Sequence, residues 1–168
     1  MRKWLDALYS ASAWLAGLFM IGILLMVLLT IVSRLFGFPA PGSDAYAGYA
    51  MAGAGFMALA STFKKGEHIR VTLLLGALKG RVHKCAELLA LSIATLLAGF
   101  LAWYSVHMAW QSWEIGDISV GIDATPMWIP QIFMALGTIV FFIAFVDELV
   151  LELRGQRVAA SQEDAHHE

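Results

Sequence analysis

The sequence predicts an all-α integral membrane protein with four transmembrane helices and both termini in the cytoplasm (N-in/C-in). Three observations support this fold class. Hydrophobic residues make up 60% of the 168 residues, and the mean hydropathy is +0.72, which is more apolar than a soluble domain. Four apolar segments each match the length of a helix that crosses roughly 30 Å of hydrocarbon. Lysine and arginine residues alternate from one side of these segments to the other.

The distribution of basic residues predicts the orientation. The chain has 11 Lys and Arg residues. One of them, Arg34, lies between the first and second segments, and none lies between the third and fourth. All others precede the first segment, follow the fourth, or lie between the second and third. Positive residues concentrate on the cytoplasmic side of membrane proteins. We therefore predict a single membrane domain, residues 1–168, that crosses the membrane four times.

The first span, residues 13–32, is built of bulky aliphatic side chains and ends at Arg34. Ser43 or Asp44 is predicted to cap the second helix through a side-chain oxygen. Arg34 and Asp44 are then expected on the same external surface, either as an ion pair or as two separately solvated charges. Residues that stop one helix and turn the chain lie between them: Gly37, Pro39, Pro41 and Gly42.

The second span, residues 45–63, is rich in small residues. One face of this helix repeats alanine at helical spacing: Ala47, Ala50, Ala54 and Ala58. In lipid, close backbone approach across small residues is a main source of helix association. This face is expected to pack either within the chain's own bundle or against a partner subunit.

A basic connection follows the second span. Thr72 and Gly80 bound a short apolar segment as an N-cap and a C-terminal stop. We predict a short amphipathic helix on the cytoplasmic leaflet, with Lys79, Arg81 and Lys84 contacting lipid head groups. The alternative is an ordinary solvated turn.

The third and fourth spans, residues 86–108 and 127–150, enclose an external connection without any Lys or Arg. Pro126 and Pro130 fit the entry turn of the fourth helix, where a missing N–H costs little. Residues 155–168 are expected to form a flexible polar tail. Aromatic residues typical of a membrane–water interface surround the external connection: Trp103, Tyr104, Trp110, Trp113 and Trp128.

The span centres carry little that could perform chemistry. Ser92 and Thr95 are the polar residues there, whereas an ion-coupled pathway normally needs ionisable groups near mid-membrane. We find no nucleophile with a base, no metal cluster and no phosphate loop, so neither an enzyme nor a cofactor is predicted. The lone Cys85 excludes an internal thiol relay. A chain without a polar core suits an auxiliary subunit of a larger complex. Two alternatives stay open: a self-contained small permease or channel, and the membrane anchor of a redox enzyme.

Short motifs follow one another along the chain: Val-Ser-Arg-Leu-Phe at 32–36, Gly-Glu-His-Ile-Arg-Val at 66–71, Ser-Val-Gly-Ile at 119–122, Pro-Met-Trp-Ile-Pro at 126–130, and Gly137. In this order and spacing they resemble the small membrane subunit of tripartite ATP-independent periplasmic (TRAP) transporters, the DctQ-like family. The chain departs from the family at two places. Ahead of the second helix many members have Trp and then Glu, where this chain has Ser-Asp-Ala-Tyr at 43–46, and many have Asp where this chain has Thr72.

The resemblance implies a scaffold subunit in a bacterial inner membrane. Its partners would be a large DctM-like membrane subunit and a periplasmic DctP-like binding protein. The complex would import a small organic acid with a sodium gradient, and the sodium ions would bind in the large subunit. A C4-dicarboxylate is the common substrate of the family, with sialic acids, keto acids and ectoine as alternatives.

Two sets of residues follow as candidate contacts. Docking of the binding protein is expected at Glu114, Asp117 and Asp123. Contact with the large subunit is expected at Arg34, Ala47, Ala50, Ala54, Ala58, Glu67, His68 and Arg70.

Overall fold

The computed structural model describes residues 2–64 and 81–154, and over these ranges it is all-helical. The helices are α1 (Arg2–Phe36), α2 (Ser43–Lys64), α3 (Arg81–Ile115) and α4 (Trp128–Leu153). Within the described ranges there is no strand, only an isolated antiparallel bridge between Ile118 and Pro126. The predicted all-α class is confirmed, and each helix overlaps one predicted span.

Three of the helices are long and apolar enough to cross a membrane. They cover Trp4–Phe36, Val82–Ile115 and Trp128–Leu153. Helix α2 has 22 residues, which is about 33 Å at 1.5 Å per residue, so its length is sufficient. Its three glycines and two tyrosines lower its hydropathy, and it is not one of the three. Its predicted role as a fourth span therefore stays a prediction.

The helices form an open row in the order α1, α2, α4, α3. Helix α2 packs between α1 and α4, while α3 contacts α4 alone among the described helices. Contacts between α1 and α2 run antiparallel, from Thr30 with Ser43 at one end to Tyr9 with Lys64 at the other. Helices α2 and α4 run parallel, because Lys64 at the end of α2 meets Asp147 near the end of α4.

Helices α2 and α4 approach each other closely at Gly137. A Cβ atom at this position would lie 2.5 Å from the carbonyl carbon of Phe56, so only glycine permits the approach. Ala60 of α2 and Ala144 of α4 are fully buried further along the two helices. The small residues thus bring the two backbones together, as expected for helix association in lipid.

Two other glycines each receive an aromatic ring from a neighbouring helix. The ring of Phe19 in α1 lies 3.0 Å from the Cβ position of Gly53 in α2, and it packs edge-on against Phe133 of α4 at 4.9 Å between centroids. The ring of Phe142 in α4 lies 3.1 Å from the Cβ position of Gly99 in α3. Large rings therefore fill the space that the glycines leave.

The connection between α1 and α2 differs from the predicted cap. The Ser43 hydroxyl donates to the Ala40 carbonyl at 3.1 Å and accepts from the Thr30 hydroxyl at 2.9 Å. No described backbone N–H of α2 donates to the side chain of Ser43 or Asp44, so the capping prediction was wrong. The Ser43 hydroxyl instead ties the start of α2 to the end of α1, because Thr30 lies close enough to compete for it.

Candidate functional site

One polar cluster lies at the end of the row where α2 and α4 finish and α1 starts. We call Tyr9, Lys64, Asp147 and Glu148 the Lys64 cluster. The Lys64 Nζ donates to Asp147 Oδ2 at 2.5 Å, lies 4.0 Å from Glu148 Oε2, and lies 5.3 Å from the centroid of the Tyr9 ring. The cluster therefore joins three helices through one ammonium group.

The Lys64 and Asp147 side chains are 26% and 20% exposed. Their burial is intermediate between a surface pair, which contributes about 0–1 kcal/mol, and a buried pair, whose disruption costs about 3–5 kcal/mol. The Tyr9 ring adds a cation–π contact and is itself buried against Ala60 and Ala144. The cluster thus fixes the ends of α1, α2 and α4 relative to one another.

The opposite end of the row is organised by Asp123 in the connection between α3 and α4. Its Oδ2 accepts from the Tyr49 hydroxyl of α2 at 2.9 Å, and its Oδ1 accepts from the Ser119 hydroxyl at 3.0 Å. The Thr125 hydroxyl donates to the Tyr46 hydroxyl of α2 at 3.2 Å. The connection therefore folds back onto the first turns of α2.

Backbone bonds also order this connection. The Ser119 N–H donates to the Thr125 carbonyl at 2.8 Å, and the Met127 N–H donates to the Asp117 carbonyl at 2.9 Å. Gly42, with a positive φ of 81°, lies so close that a Cβ would come 2.9 Å from the Cβ of Asp123. The result is an ordered loop rather than a loose linker.

Hydrogen bonding shifts the titration of Asp123. Partial desolvation raises the pKa of its carboxyl, but the hydrogen bonds that neighbouring groups donate to the carboxylate outweigh this effect. The pKa is therefore held below the ordinary value of 3.8. A carboxyl whose pKa is lowered on folding stabilises the folded loop above its unfolded pKa, and this contribution disappears as the pH falls through the folded pKa.

We expect the loop to loosen in acid. A spin label on Val120→Cys, with Cys85 replaced by Ser, should show restricted motion at neutral pH and gain mobility as the pH falls below the ordinary carboxyl pKa of 3.8. With Asp123→Asn added, the label should be mobile at every pH, because the charged acceptor is gone. Electron paramagnetic resonance line shapes of the purified chain measure both states. A pH-dependent label in the Asn variant would assign the change to another group.

The predicted docking acids occupy different environments. The side chains of Glu114 and Asp117 are exposed, whereas both oxygens of Asp123 accept hydrogen bonds from this chain. The structure therefore leaves Glu114 and Asp117 accessible to a partner and gives Asp123 an internal role. Docking of the binding protein at these acids stays a prediction.

The residues predicted to meet the large subunit are also spread out. Ala54 is buried within the chain, and Ala50 lies beside Gly22 of α1. Ala47 and Ala58 are half-buried. This packing favours the internal alternative for Ala50 and Ala54, and contact of this face with a partner stays a prediction.

Arg34 lies exposed at the end of α1. No ion pair joins it to Asp44 where the structure describes both side chains, which agrees with two separately solvated charges. Lys84 is exposed in the first turn of α3, whose first residue is Arg81. The predicted amphipathic helix and the tail 155–168 lie outside the described residues. So do four of the predicted contact residues: Glu67, His68, Arg70 and Lys79.

The polar side chains of the span centres are bonded within their own helix. The Ser92 hydroxyl donates to the Leu88 carbonyl at 2.7 Å, and the Thr95 hydroxyl donates to the Leu91 carbonyl at 2.7 Å. Such back-bonding to the preceding turn is how helices accommodate Ser and Thr in lipid. These two hydroxyls therefore serve helix structure.

The family assignment follows from comparison with known proteins. The family model for the DctQ component of tripartite ATP-independent periplasmic transporters matches residues 23–155, which is most of the chain. The chain belongs to the DctQ family. A search of curated proteins finds no match. As a DctQ component it is part of a transporter and not an enzyme. The resemblance to this family and the prediction that the chain is not an enzyme are therefore both confirmed.

DctQ components are the small membrane subunits of these transporters, and in the family they work with DctM and DctP components. With three long apolar helices, this DctQ component is an inner-membrane protein. The sequence-based search for functional residues missed the Lys64 cluster. The signal was present, because Lys64 and Asp147 have opposite charges and lie at ends of two spans that were predicted to share the cytoplasmic side.

Proposed function

We propose that this DctQ component is a scaffold that supports the transporting subunit and contains no solute path of its own. The observation that carries the proposal is the absence of charge from the described helix interiors. No Asp, Glu, Lys or Arg occurs at positions 7–33, 45–63, 88–113 or 128–146. A path for an organic acid and its coupling ion normally needs such groups near mid-membrane. The back-bonded hydroxyls of Ser92 and Thr95 supply no substitute.

We further propose that α2 is the fourth span and that both termini are cytoplasmic. Helix α2 lies beside α1 from Ser43 to Lys64, so it covers the same depth as an apolar span. It runs antiparallel to α1 and parallel to α4, as an N-in/C-in protein with four spans requires. The Lys64 cluster then lies on the cytoplasmic side and the Asp123 loop on the periplasmic side, in agreement with the charge distribution.

Cysteine labelling tests this topology. Cys85 is exposed near the start of α3 and should react with a membrane-impermeant maleimide only after the membrane is opened. Pro41→Cys in a Cys85→Ser background should react from outside in intact spheroplasts, because the α1–α2 connection is periplasmic. If α2 does not cross the membrane, positions 41 and 85 lie on the same side and should be labelled alike. Labelling of both from the same side would contradict the topology.

The proposed reaction is import of a small organic acid, with a C4-dicarboxylate as the first candidate, driven by a sodium gradient. The partners are the large DctM-type subunit and the periplasmic DctP-type binding protein. We propose no cofactor for this chain, and the sodium ions would bind in the large subunit. Membership of the DctQ family supports the partners, and the uncharged helix interiors support the division of labour.

Uptake in cells that lack their own transporter for the solute tests this assignment. Cells expressing all three components should take up a labelled C4-dicarboxylate in the presence of sodium. Omission of the small subunit should abolish uptake, and tagged small subunit should co-purify with the large one. A small subunit that neither co-purifies nor affects uptake would contradict the proposal.

A further inference from the structure

The ordered periplasmic loop carries an apolar surface that the rest of the chain leaves open. We call Ile115, Ile118, Val120 and Ile122 the loop patch. Val120 is fully exposed, and Ile122, Ile115 and Ile118 are 85, 79 and 58% exposed. Single exposed aliphatic residues are ordinary, but four within eight positions, one at the end of α3 and three in the ordered loop that follows, mark an interaction surface.

The backbone of the loop argues against burial in hydrocarbon. Among the described residues, no acceptor receives the N–H of Val120 or Ile122, although neighbouring N–H groups are bonded. Irregular backbone with unpaired polar groups is not tolerated where lipid tails surround it. The exposed side chains of α1 and α3 can face lipid because helical backbone is satisfied internally. The loop patch lacks that protection.

Charge argues against a lipid surface as the occupant. Segments that lie on membranes usually place Lys or Arg around their apolar face to contact anionic head groups. The sequence has no Lys or Arg between Lys84 and Arg154, and the loop patch is flanked by the exposed acids Glu114 and Asp117. Such a border fits a protein surface whose own border is basic.

The character of the patch also indicates a lasting contact. Obligate interfaces are more apolar than those of transient complexes, and an uncovered aliphatic cluster favours aggregation. The loop is already held in shape by Asp123, Tyr49 and Ser119, so little ordering is needed on binding. These properties fit a permanent membrane partner better than a soluble protein that docks in each transport cycle.

We propose that the loop patch is a permanent docking surface for the large membrane subunit, which contacts it through an apolar area bordered by Lys or Arg. This inference rests on the proposed function, because it assumes the transporter complex. It separates two roles in one loop. The apolar side chains bind the large subunit, and the exposed acids Glu114 and Asp117 face its basic border. For these two acids, this assignment replaces the predicted contact with the binding protein.

Photo-crosslinking in the complete transporter tests the occupant. Benzoylphenylalanine at position 120 or 122 of the full chain, co-expressed with the large subunit and the binding protein, should give an adduct with the large subunit. The same chain expressed without the large subunit should lack that adduct. Adducts with the binding protein alone, or with lipid alone, would overturn the inference.

A pair of substitutions measures the contribution of the patch. Val120→Lys with Ile122→Lys should reduce the large subunit recovered with the tagged chain by about tenfold or more, as for central interface residues. Thermal unfolding of the lone variant should match the parent, because these side chains are highly exposed. The matched control Leu153→Lys places a lysine at an exposed apolar side chain outside the loop patch. It should change recovery by less than about threefold, because surface substitutions away from an interface have small effects.

The two proposals fail differently. If the parent chain does not co-purify with the large subunit, the proposed function is wrong. If the parent co-purifies and the lysine pair co-purifies equally well, the assembly exists but does not use the loop patch, and this inference alone is overturned.

Discussion

Gly137→Ala should lower the free energy of unfolding of the purified chain by about 1–2 kcal/mol. The new methyl group would meet the carbonyl carbon of Phe56 at 2.5 Å, so α2 and α4 must separate along their contact. Overpacking of this kind costs about 1–3 kcal/mol, and a gain in helix propensity of about 1 kcal/mol offsets part of it. Leu at the same position should prevent the two helices from packing.

Gly55→Ala is the matched control, because Gly55 precedes Phe56 in α2 and the substitution adds the same methyl group without facing α4. A Cβ at Gly55 meets nothing within 4 Å. The gain in helix propensity should then appear alone, and stability should be unchanged or rise by up to about 1 kcal/mol. Denaturant titration in detergent, followed by tryptophan fluorescence, measures both variants. Equal stability of the two would mean that α2 and α4 do not approach closely at Gly137.

Breaking the Lys64–Asp147 pair should have a comparable effect. Lys64→Gln or Asp147→Asn should each lower the free energy of unfolding by about 1–3 kcal/mol, because each leaves a partly buried charge without its nearest partner. The double variant should lose less than the sum of the two. A coupling energy of about 1 kcal/mol or more in this double-mutant cycle is expected.

Glu114→Gln controls for the loss of a carboxylate. Its side chain is exposed, so its replacement should change stability by less than about 0.5 kcal/mol. Additive effects of the Lys64 and Asp147 substitutions would show that the two groups act independently. In that case the ends of α2 and α4 would be held by packing around Ala60 and Ala144 alone.

The fold could largely be predicted from sequence because its signals are local. Runs of apolar residues marked the spans, and Gly42 with its neighbouring prolines marked the turn before α2. The ends of the helices were less predictable: α1 begins at Arg2 and α3 continues to Ile115, beyond the apolar spans. Hydropathy marks where a helix meets lipid, whereas a helix continues into water as long as its backbone bonds are made.

The contacts between helices could not be predicted in the same way. The alanine face of α2 gave equal support to internal packing and to a partner, and the close approach of Gly137 to Phe56 depends on how two distant segments cross. Asp123 was assigned to an exposed acidic surface because the sequence does not show Tyr49 beside it. Opposite charges at Lys64 and Asp147 were visible in the sequence, but pairing them required the parallel arrangement of α2 and α4.

The open row has a consequence for assembly. Helices α1 and α3 at its two edges expose most of their apolar surface, while α2 and α4 form the packed centre. A membrane subunit with this shape exposes broad apolar faces at both edges. Its rigidity comes from the Gly137 crossing, the Lys64 cluster and the Asp123 loop, which hold the middle and the two ends of the row.

Reconstitution into liposomes tests the central claim most directly, namely that this chain supports transport without providing the path. Liposomes with the small subunit alone should take up no labelled C4-dicarboxylate when a sodium gradient and the binding protein are supplied. Liposomes with both membrane subunits should take it up under the same conditions. Uptake by the small subunit alone would contradict the scaffold role.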